Sequence, residues 1–323
     1  MSAAGALDAV LDAGGAAVPR LMERVEDRMA ALARGHGALL ARHAGDTIAA
    51  GGKRLRPLLV CLAAGAPPPE TDGLVAAAVA VELVHGATLV HDDVLDGASL
   101  RRGRPTVIAV GGRELATATG DLLLSRAFAQ LAAAGSVAAV RVLSRASSQL
   151  ALGELMQRAD AWKADVTVQR YLERCRLKTA VLFAAACELG ALEGGGDREA
   201  LAAFGEQVGL AFQILDDVLD VTGPPERTGK PQGADLLDGT VTLPLILARE
   251  RDPALAALDV SEIRTATDAL GVCERIAATG ALATAKERAL EFVACAKTAL
   301  PALPQRQRGV FEIVADGVVE RYA

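Results

Sequence analysis

What the chain lacks narrows its reading first. Its 323 residues include five cysteines, Cys61, Cys175, Cys187, Cys273 and Cys295, an odd number with no Cys-x-x-Cys pair. That usage fits reduced thiols filling a core, not a disulfide framework or a zinc site. Although 51% of residues are hydrophobic and mean hydropathy is +0.29, much of this is alanine. No uncharged apolar run reaches the roughly 18 residues that a membrane span needs. The most apolar stretch, residues 74–90, contains Glu82 and His85 and runs into Asp92 and Asp93. It reads as a buried helix, and no stable membrane insertion is expected. No basic residue precedes Arg20, so a secretory leader is not expected and the default location is cytoplasmic. Basic excess is missing too: 34 Lys and Arg stand against 40 Asp and Glu, a net charge of −6. Broad attraction to nucleic acid is therefore not expected.

Alternating β-branched runs are scarce, and apolar residues, chiefly Ala and Leu, recur at helical spacing almost throughout. The chain reads as all-α. Prolines punctuate helix ends at Pro57, Pro67, Pro68, Pro69, Pro105, Pro224, Pro225 and Pro231, whereas residues 106–223 contain none and should hold several long helices. Gly111-Gly112 and residues 194–196 are expected connections within that interval, and no polar linker divides differently composed halves. A single-domain helix bundle over residues 1–323 is the simpler reading.

One pattern recurs: Asp-Asp-Val-Leu-Asp, at residues 92–96 and again at 216–220. On a helix, Asp92 and Asp96 share a face with Asp93 beside them, and Asp216, Asp217 and Asp220 repeat the arrangement. Three carboxylates in one turn repel one another unless a cation balances them. Magnesium suits carboxylate oxygen and is commonly shared between one or two side chains and substrate phosphates. One such turn is often a solvated acidic face. Two copies, each following an apolar turn, point to carboxylates lining a cleft in a helix bundle.

The basic residues that matter are local. Gly51-Gly52-Lys53-Arg54-Leu55-Arg56-Pro57 places Lys53 and Arg56 at a helix start, where backbone N–H groups favour anions. Arg101-Arg102-Gly103-Arg104 follows the first aspartate turn directly. Carboxylates for a metal, with cations close by, suit a diphosphate ligand.

These landmarks, with Lys178-Thr179, residues 212–220 and Thr228-Gly229-Lys230 onward to Pro244, resemble the trans-type isoprenyl diphosphate synthases, or polyprenyl synthetases, over most of the chain. The resemblance implies an all-α fold around a central elongated apolar cavity. It implies that isopentenyl diphosphate is held by Lys53, Arg56, His85 and Arg102, and an allylic diphosphate by Arg101, Lys178 and Lys230. Asp92, Asp96 and Asp216 would be direct magnesium ligands, with Asp93, Asp217 and Asp220 in the same metal clusters, about three ions being bound with substrate. Thr179 and Gln213 match positions close to the reacting carbons, which places them, with Lys178 and Lys230, in the catalytic set. A homodimer is also implied.

Product length would follow from small residues at Ala87 and Thr88, where short-product relatives carry aromatics, so a product longer than farnesyl is expected. Phe128 on the following helix is a candidate floor, or a core residue. One departure stands out: the family's lysine after Asp-Leu-x-x-Gly is here Thr240. Thr240→Lys is expected to lower the Michaelis constant for the allylic substrate.

Two other readings use the same residues. A class I terpene cyclase would also be all-α with one aspartate-rich turn, but with an Asn/Ser/Glu pattern in place of the second and without the Lys53 and Arg56 site. A non-catalytic subunit shaping a partner synthase would be expected to have lost an aspartate cluster. Residues 223–230 have the wrong glycine spacing for a nucleotide loop, and Pro231 stands where Ser or Thr should bind magnesium.

Overall fold

A computed structural model describes residues 3–34, 54–101, 103–224 and 231–320. Among the described residues the fold is all-α apart from one short hairpin, in which Leu100 pairs with Pro105 and Arg101 with Arg104. Its residues group into two compact units, each drawn from three separate stretches.

The first unit comprises Met1–Ser147, Leu182–Gly205 and Ala299–Val314. Its central helix, Asp72–Asp96, is capped by Thr71, whose hydroxyl accepts from the Leu74 amide at 3.1 Å, and is buried on every face from Leu74 to Val84. A helix apolar all round has no solvent face to offer and settles in the core. Leu55–Ala63, Ala17–Arg34 and Val107–Ala133 pack against it. Among the described residues it is the one helix long and apolar enough to cross a membrane, and 72% of its apolar window is buried inside the protein, as expected of a core helix. Gly97 in the left-handed region (φ 62°) ends this helix immediately after Asp96. The interruption expected at Gly111-Gly112 occurs as a kink at Gly112 (φ 77°, ψ 176°) within Val107–Ala133. The connection expected at 194–196 forms at Gly195 (φ 71°), past the end of Val181–Gly194.

In the same unit, a Cβ added at Gly190 or Gly194 would collide with the backbone carbonyls of Val60 and Ala64 respectively. The two glycines let Val181–Gly194 lie directly against Leu55–Ala63. Arg56 lies 4.5 Å above the Phe183 ring across that contact.

The second unit comprises Ser148–Val181, Glu206–Thr298 and Ala315–Ala323. Val168–Cys175 is capped by Thr167 and leads without a break into a π turn, Arg176–Ala180. The short helices Ala234–Leu237 and Leu243–Arg249 pack on Ala266–Ala278, which starts from a Thr265/Asp268 capping box.

Four cysteines, Cys61, Cys175, Cys187 and Cys273, are buried free thiols, as expected of core filler. Cys295 departs from that reading and is exposed, because it falls on the outer face of Ala281–Ala299.

Candidate functional site

The first aspartate turn lies at the C-terminal end of Asp72–Asp96, and the second in the last two turns of Arg198–Thr222; neither helix has a basic residue in its last turn. A helix C-terminus already carries partial negative charge. Three carboxylates there are placed where helix electrostatics opposes them, and a bound cation would reverse the penalty.

Within each turn the three carboxylates differ in setting. Asp93 is 5% exposed and accepts from Arg101 Nε at 2.7 Å. Asp217 is 3% exposed and accepts from the Tyr171 hydroxyl at 2.6 Å and from Gln213 Nε2 at 2.7 Å. The outer carboxylates are more open: Asp96 and Asp216 are exposed, Asp92 and Asp220 half-buried. Asp220 Oδ2 also accepts from the Asp235 amide at 3.3 Å. Burial, reinforced by the negative charges of Asp235 and Asp216, pushes the Asp217 carboxyl well above the usual carboxylate range despite its two donors. Burial and the charge of Asp217 likewise push the Tyr171 hydroxyl well up, so it stays a donor.

Among the described residues, no three His, Cys, Asp or Glu side chains converge into a ready-made metal cage. The carboxylate oxygens of the two turns are a hard donor set of the kind that magnesium takes while keeping waters and sharing substrate phosphate.

Lys178 and Thr179 lie on the π turn. Lys178 Nζ donates to Glu154 Oε2 at 2.6 Å, and Arg158 Nε donates to Glu154 Oε1 at 2.9 Å. Burial works against the Glu154 charge, but Lys178 and Arg158 outweigh it and hold the carboxyl below its ordinary range. Thr179 is buried and donates its hydroxyl to Gln213 Oε1 at 2.6 Å. A Cβ at Gly153 would stand 2.6 Å from the Lys178 backbone nitrogen. Glycine is therefore required at 153 for Val137–Asp160 to touch the π turn.

Arg54, at the start of Leu55–Ala63, donates to Glu26 at 2.6 Å and to buried Glu82 at 2.8 Å. The ion pair ties the segment carrying Arg56 to the helix carrying His85, one turn beyond Glu82; both Arg56 and His85 are half-buried. Lys53, Arg102 and Lys230, three residues expected to hold diphosphate, lie outside the described residues.

The expected length determinants, Ala87 and Thr88, are buried and half-buried, and Leu123 lies 3.7 Å from where a Cβ on neighbouring Gly86 would stand. Phe128 is half-buried. It sits five residues past Leu123, roughly 140° around the helix at about 100° per residue, so the two belong to different faces.

A family model for polyprenyl synthetases matches residues 38–275. The chain belongs to the polyprenyl synthetase family. It is a prenyltransferase, a polyprenyl diphosphate synthase with the all-α isoprenoid synthase fold. The chain is 43% identical over 231 residues to heptaprenyl diphosphate synthase component 2 of Geobacillus stearothermophilus, covering 68% of this chain and 72% of that one. It is 35% identical over 268 residues to octaprenyl diphosphate synthase of Escherichia coli, covering 80% and 82%. A polyprenyl synthase crystal structure from Caulobacter crescentus, complexed with calcium and isoprenyl diphosphate, matches with a TM-score of 0.87 at 38% identity, covering 99% of this chain and 98% of that one.

Glu154, Gly153 and Tyr171, on which this synthase's geometry depends, carry no motif, and nothing in the sequence pairs Arg54 with Glu82. Tyr171 is one of only two tyrosines, and a buried tyrosine needs a hydroxyl partner. Its partner lies 46 residues away, which sequence spacing cannot reveal.

Proposed function

We propose that this polyprenyl synthetase condenses isopentenyl diphosphate with an allylic diphosphate in a magnesium-dependent reaction, giving an all-trans product longer than farnesyl. The observation that carries the reading is the paired aspartate turns. Each sits at the negative end of its helix, with the middle carboxylate held by protein donors and the outer ones more open.

On this reading Asp92, Asp96 and Asp216 hold magnesium, with Asp93, Asp217 and Asp220 shaping the clusters around them. When bound, the metal supplies Lewis-acid stabilisation of charge on the departing diphosphate. Arg101, Lys178 and Lys230 hold the allylic diphosphate and add fixed positive charge where negative charge grows on its oxygens. Lys53, Arg56, His85 and Arg102 hold isopentenyl diphosphate so that its alkene meets the allylic carbon by proximity alone. Thr179 and Gln213 face the reacting carbons, and the released diphosphate takes the final proton. Small residues at Ala87 and Thr88 leave room for the tail, with Phe128 a second candidate for its stop. We assign one catalytic domain over residues 1–323, working in the cytoplasm as a homodimer.

Two of the relatives are named component 2 of a heptaprenyl diphosphate synthase. That wording favours a second reading, in which this chain elongates only beside a different subunit. Incubating the purified chain with labelled isopentenyl diphosphate, magnesium and dimethylallyl, geranyl, farnesyl or geranylgeranyl diphosphate in turn separates the two. A magnesium-dependent ladder ending at one length beyond farnesyl supports autonomous elongation. No incorporation by the chain alone supports the heteromeric reading, and a cyclic hydrocarbon from the allylic substrate alone would indicate a cyclase.

Thr240 is buried beside the second aspartate turn: its amide donates to the Asp235 carbonyl at 2.8 Å, and Asp235 in turn contacts Asp220. A lysine here would bring positive charge to that cluster. Thr240→Lys is expected to lower the allylic Michaelis constant several-fold; an unchanged constant in steady-state assays would sink the idea.

A further inference from the structure

We propose that Tyr171 is a positioning residue for the condensation, its hydroxyl acting through Asp217 and Gln213 to set the hydroxyl of Thr179. The inference rests on the functional reading above, in which Thr179 and Gln213 face the reacting carbons.

Three hydrogen bonds link these four side chains in one row. The Tyr171 hydroxyl donates to Asp217 Oδ2 at 2.6 Å, Gln213 Nε2 donates to Asp217 Oδ1 at 2.7 Å, and Thr179 Oγ1 donates to Gln213 Oε1 at 2.6 Å. With the Tyr171 hydroxyl and the Gln213 amide nitrogen both donating to Asp217, the amide turns its nitrogen toward Asp217 and its oxygen toward Thr179. Thr179 has a single hydroxyl proton, and Gln213 takes it. What Thr179 then offers any neighbouring group is lone-pair density, not a proton. Reversing the amide would reverse that offer.

Both Asp217 oxygens are engaged by protein donors, and the side chain is 3% exposed, whereas Asp216 on the same turn is exposed. Asp217 therefore serves as the bracket of the row, and the cation sites fall to its neighbours.

Tyr171 is itself fixed. It has no exposed surface, and the Arg174 guanidinium lies 5.6 Å from its ring while donating to the Val241 carbonyl at 2.5 Å. The π turn brings the two ends of the row to one helix face. Tyr171 and Thr179 are eight residues apart, which in a plain α-helix leaves them about 80° out of line, and the one-residue insertion of a π turn removes most of that offset.

The test compares wild type, Tyr171→Phe, Thr179→Ala and the double variant in full-chain assays with labelled isopentenyl diphosphate, magnesium and farnesyl diphosphate. Phenylalanine keeps the buried ring and deletes only the hydroxyl. The expected result is a kcat reduced roughly tenfold or more with both Michaelis constants within about twofold, and a double variant no worse than about twofold below Thr179→Ala, since residues acting through one network are non-additive. A Tyr171→Phe kcat within twofold of wild type, or losses that multiply in the double variant, would overturn the role. Wild type that incorporates nothing removes the functional reading as well, which keeps the two failures distinct. Should Tyr171→Phe fail to fold by circular dichroism, Asp217→Asn tests the same row, because it leaves one acceptor oxygen where two donors, the Tyr171 hydroxyl and the Gln213 amide, meet. The same kcat loss is expected, with the thermal shift on titrating magnesium and inorganic diphosphate unchanged. A tenfold weaker magnesium response would make Asp217 a metal ligand and overturn the bracket.

Discussion

Replacing Asp92 with alanine is expected to cut the elongation rate about a thousand-fold, the scale on which a lost charge-stabilising contact acts in a transition state, while leaving the fold intact. The two effects separate for an electrostatic reason. Asp92 shares the last turn of Asp72–Asp96 with Asp93 and Asp96, at the negative end of the helix and with no basic residue in that turn. Removing one carboxylate relieves repulsion worth a few tenths of a kcal/mol to about 1 kcal/mol. The thermal midpoint should therefore change far less than the rate. On the proposed reading, the side chain that is unfavourable for the helix is the one the chemistry needs. Single-turnover rates and thermal melts on one preparation check both halves. Activity within tenfold of wild type, or a midpoint that falls along with the rate, would show that Asp92 serves structure instead.

Gly153→Ala should damage folding and catalysis together. The added methyl would stand 2.6 Å from the Lys178 nitrogen, 2.8 Å from the Leu177 carbonyl carbon and 2.9 Å from Lys178 Cα. All three are backbone atoms, which cannot swing aside as a flexible side chain would. Either Val137–Asp160 retreats or the π turn does, by something near 1 Å. Overpacking of this kind typically costs about 1–3 kcal/mol, and a 1 Å misplacement of positioning groups can cost on the order of a hundredfold in rate. The displaced groups are the Lys178 ammonium, paired with Glu154, and the Thr179 hydroxyl, bonded to Gln213. A melt lowered by several degrees, with kcat reduced at least tenfold in the fraction that folds, is the expected result. A variant with wild-type rate and midpoint would mean that the contact at 153 is slack.

The order of motifs along the chain was enough to give the family, because each motif is local. Asp92, Asp93 and Asp96 fall within one helical turn, as do Asp216, Asp217 and Asp220, and helical periodicity alone places them on neighbouring faces. The all-α class was legible for the same reason: Ala and Leu at helical spacing with few alternating strand runs leave little else for the backbone to do.

The roles within each aspartate turn were not legible. Asp-Asp-Val-Leu-Asp reads identically at both sites, yet Asp93 is held by Arg101, eight residues on, and Asp217 by Tyr171, 46 residues back. Which carboxylate turns inward depends on the partner packed against that face, and a short motif carries no record of its partner. The cluster at residues 53–56 shows the same limit. Lys53, Arg54 and Arg56 look alike in sequence, but Arg54 is committed to Glu26 and Glu82, whereas the Arg56 guanidinium lies over the ring of Phe183.

Gly153 shows most plainly where sequence ends and structure begins. In the sequence it is one glycine among 32, inside a helix where glycine is mildly unfavourable. Only the packing of Val137–Asp160 against a π turn makes it indispensable, because steric exclusion is a property of two segments and not of one. By itself the sequence determined the helices, the repeated carboxylates and the family. The tertiary structure decided which carboxylates are buried against protein donors and which lie nearer the surface, since that choice rests on contacts between residues far apart in the chain.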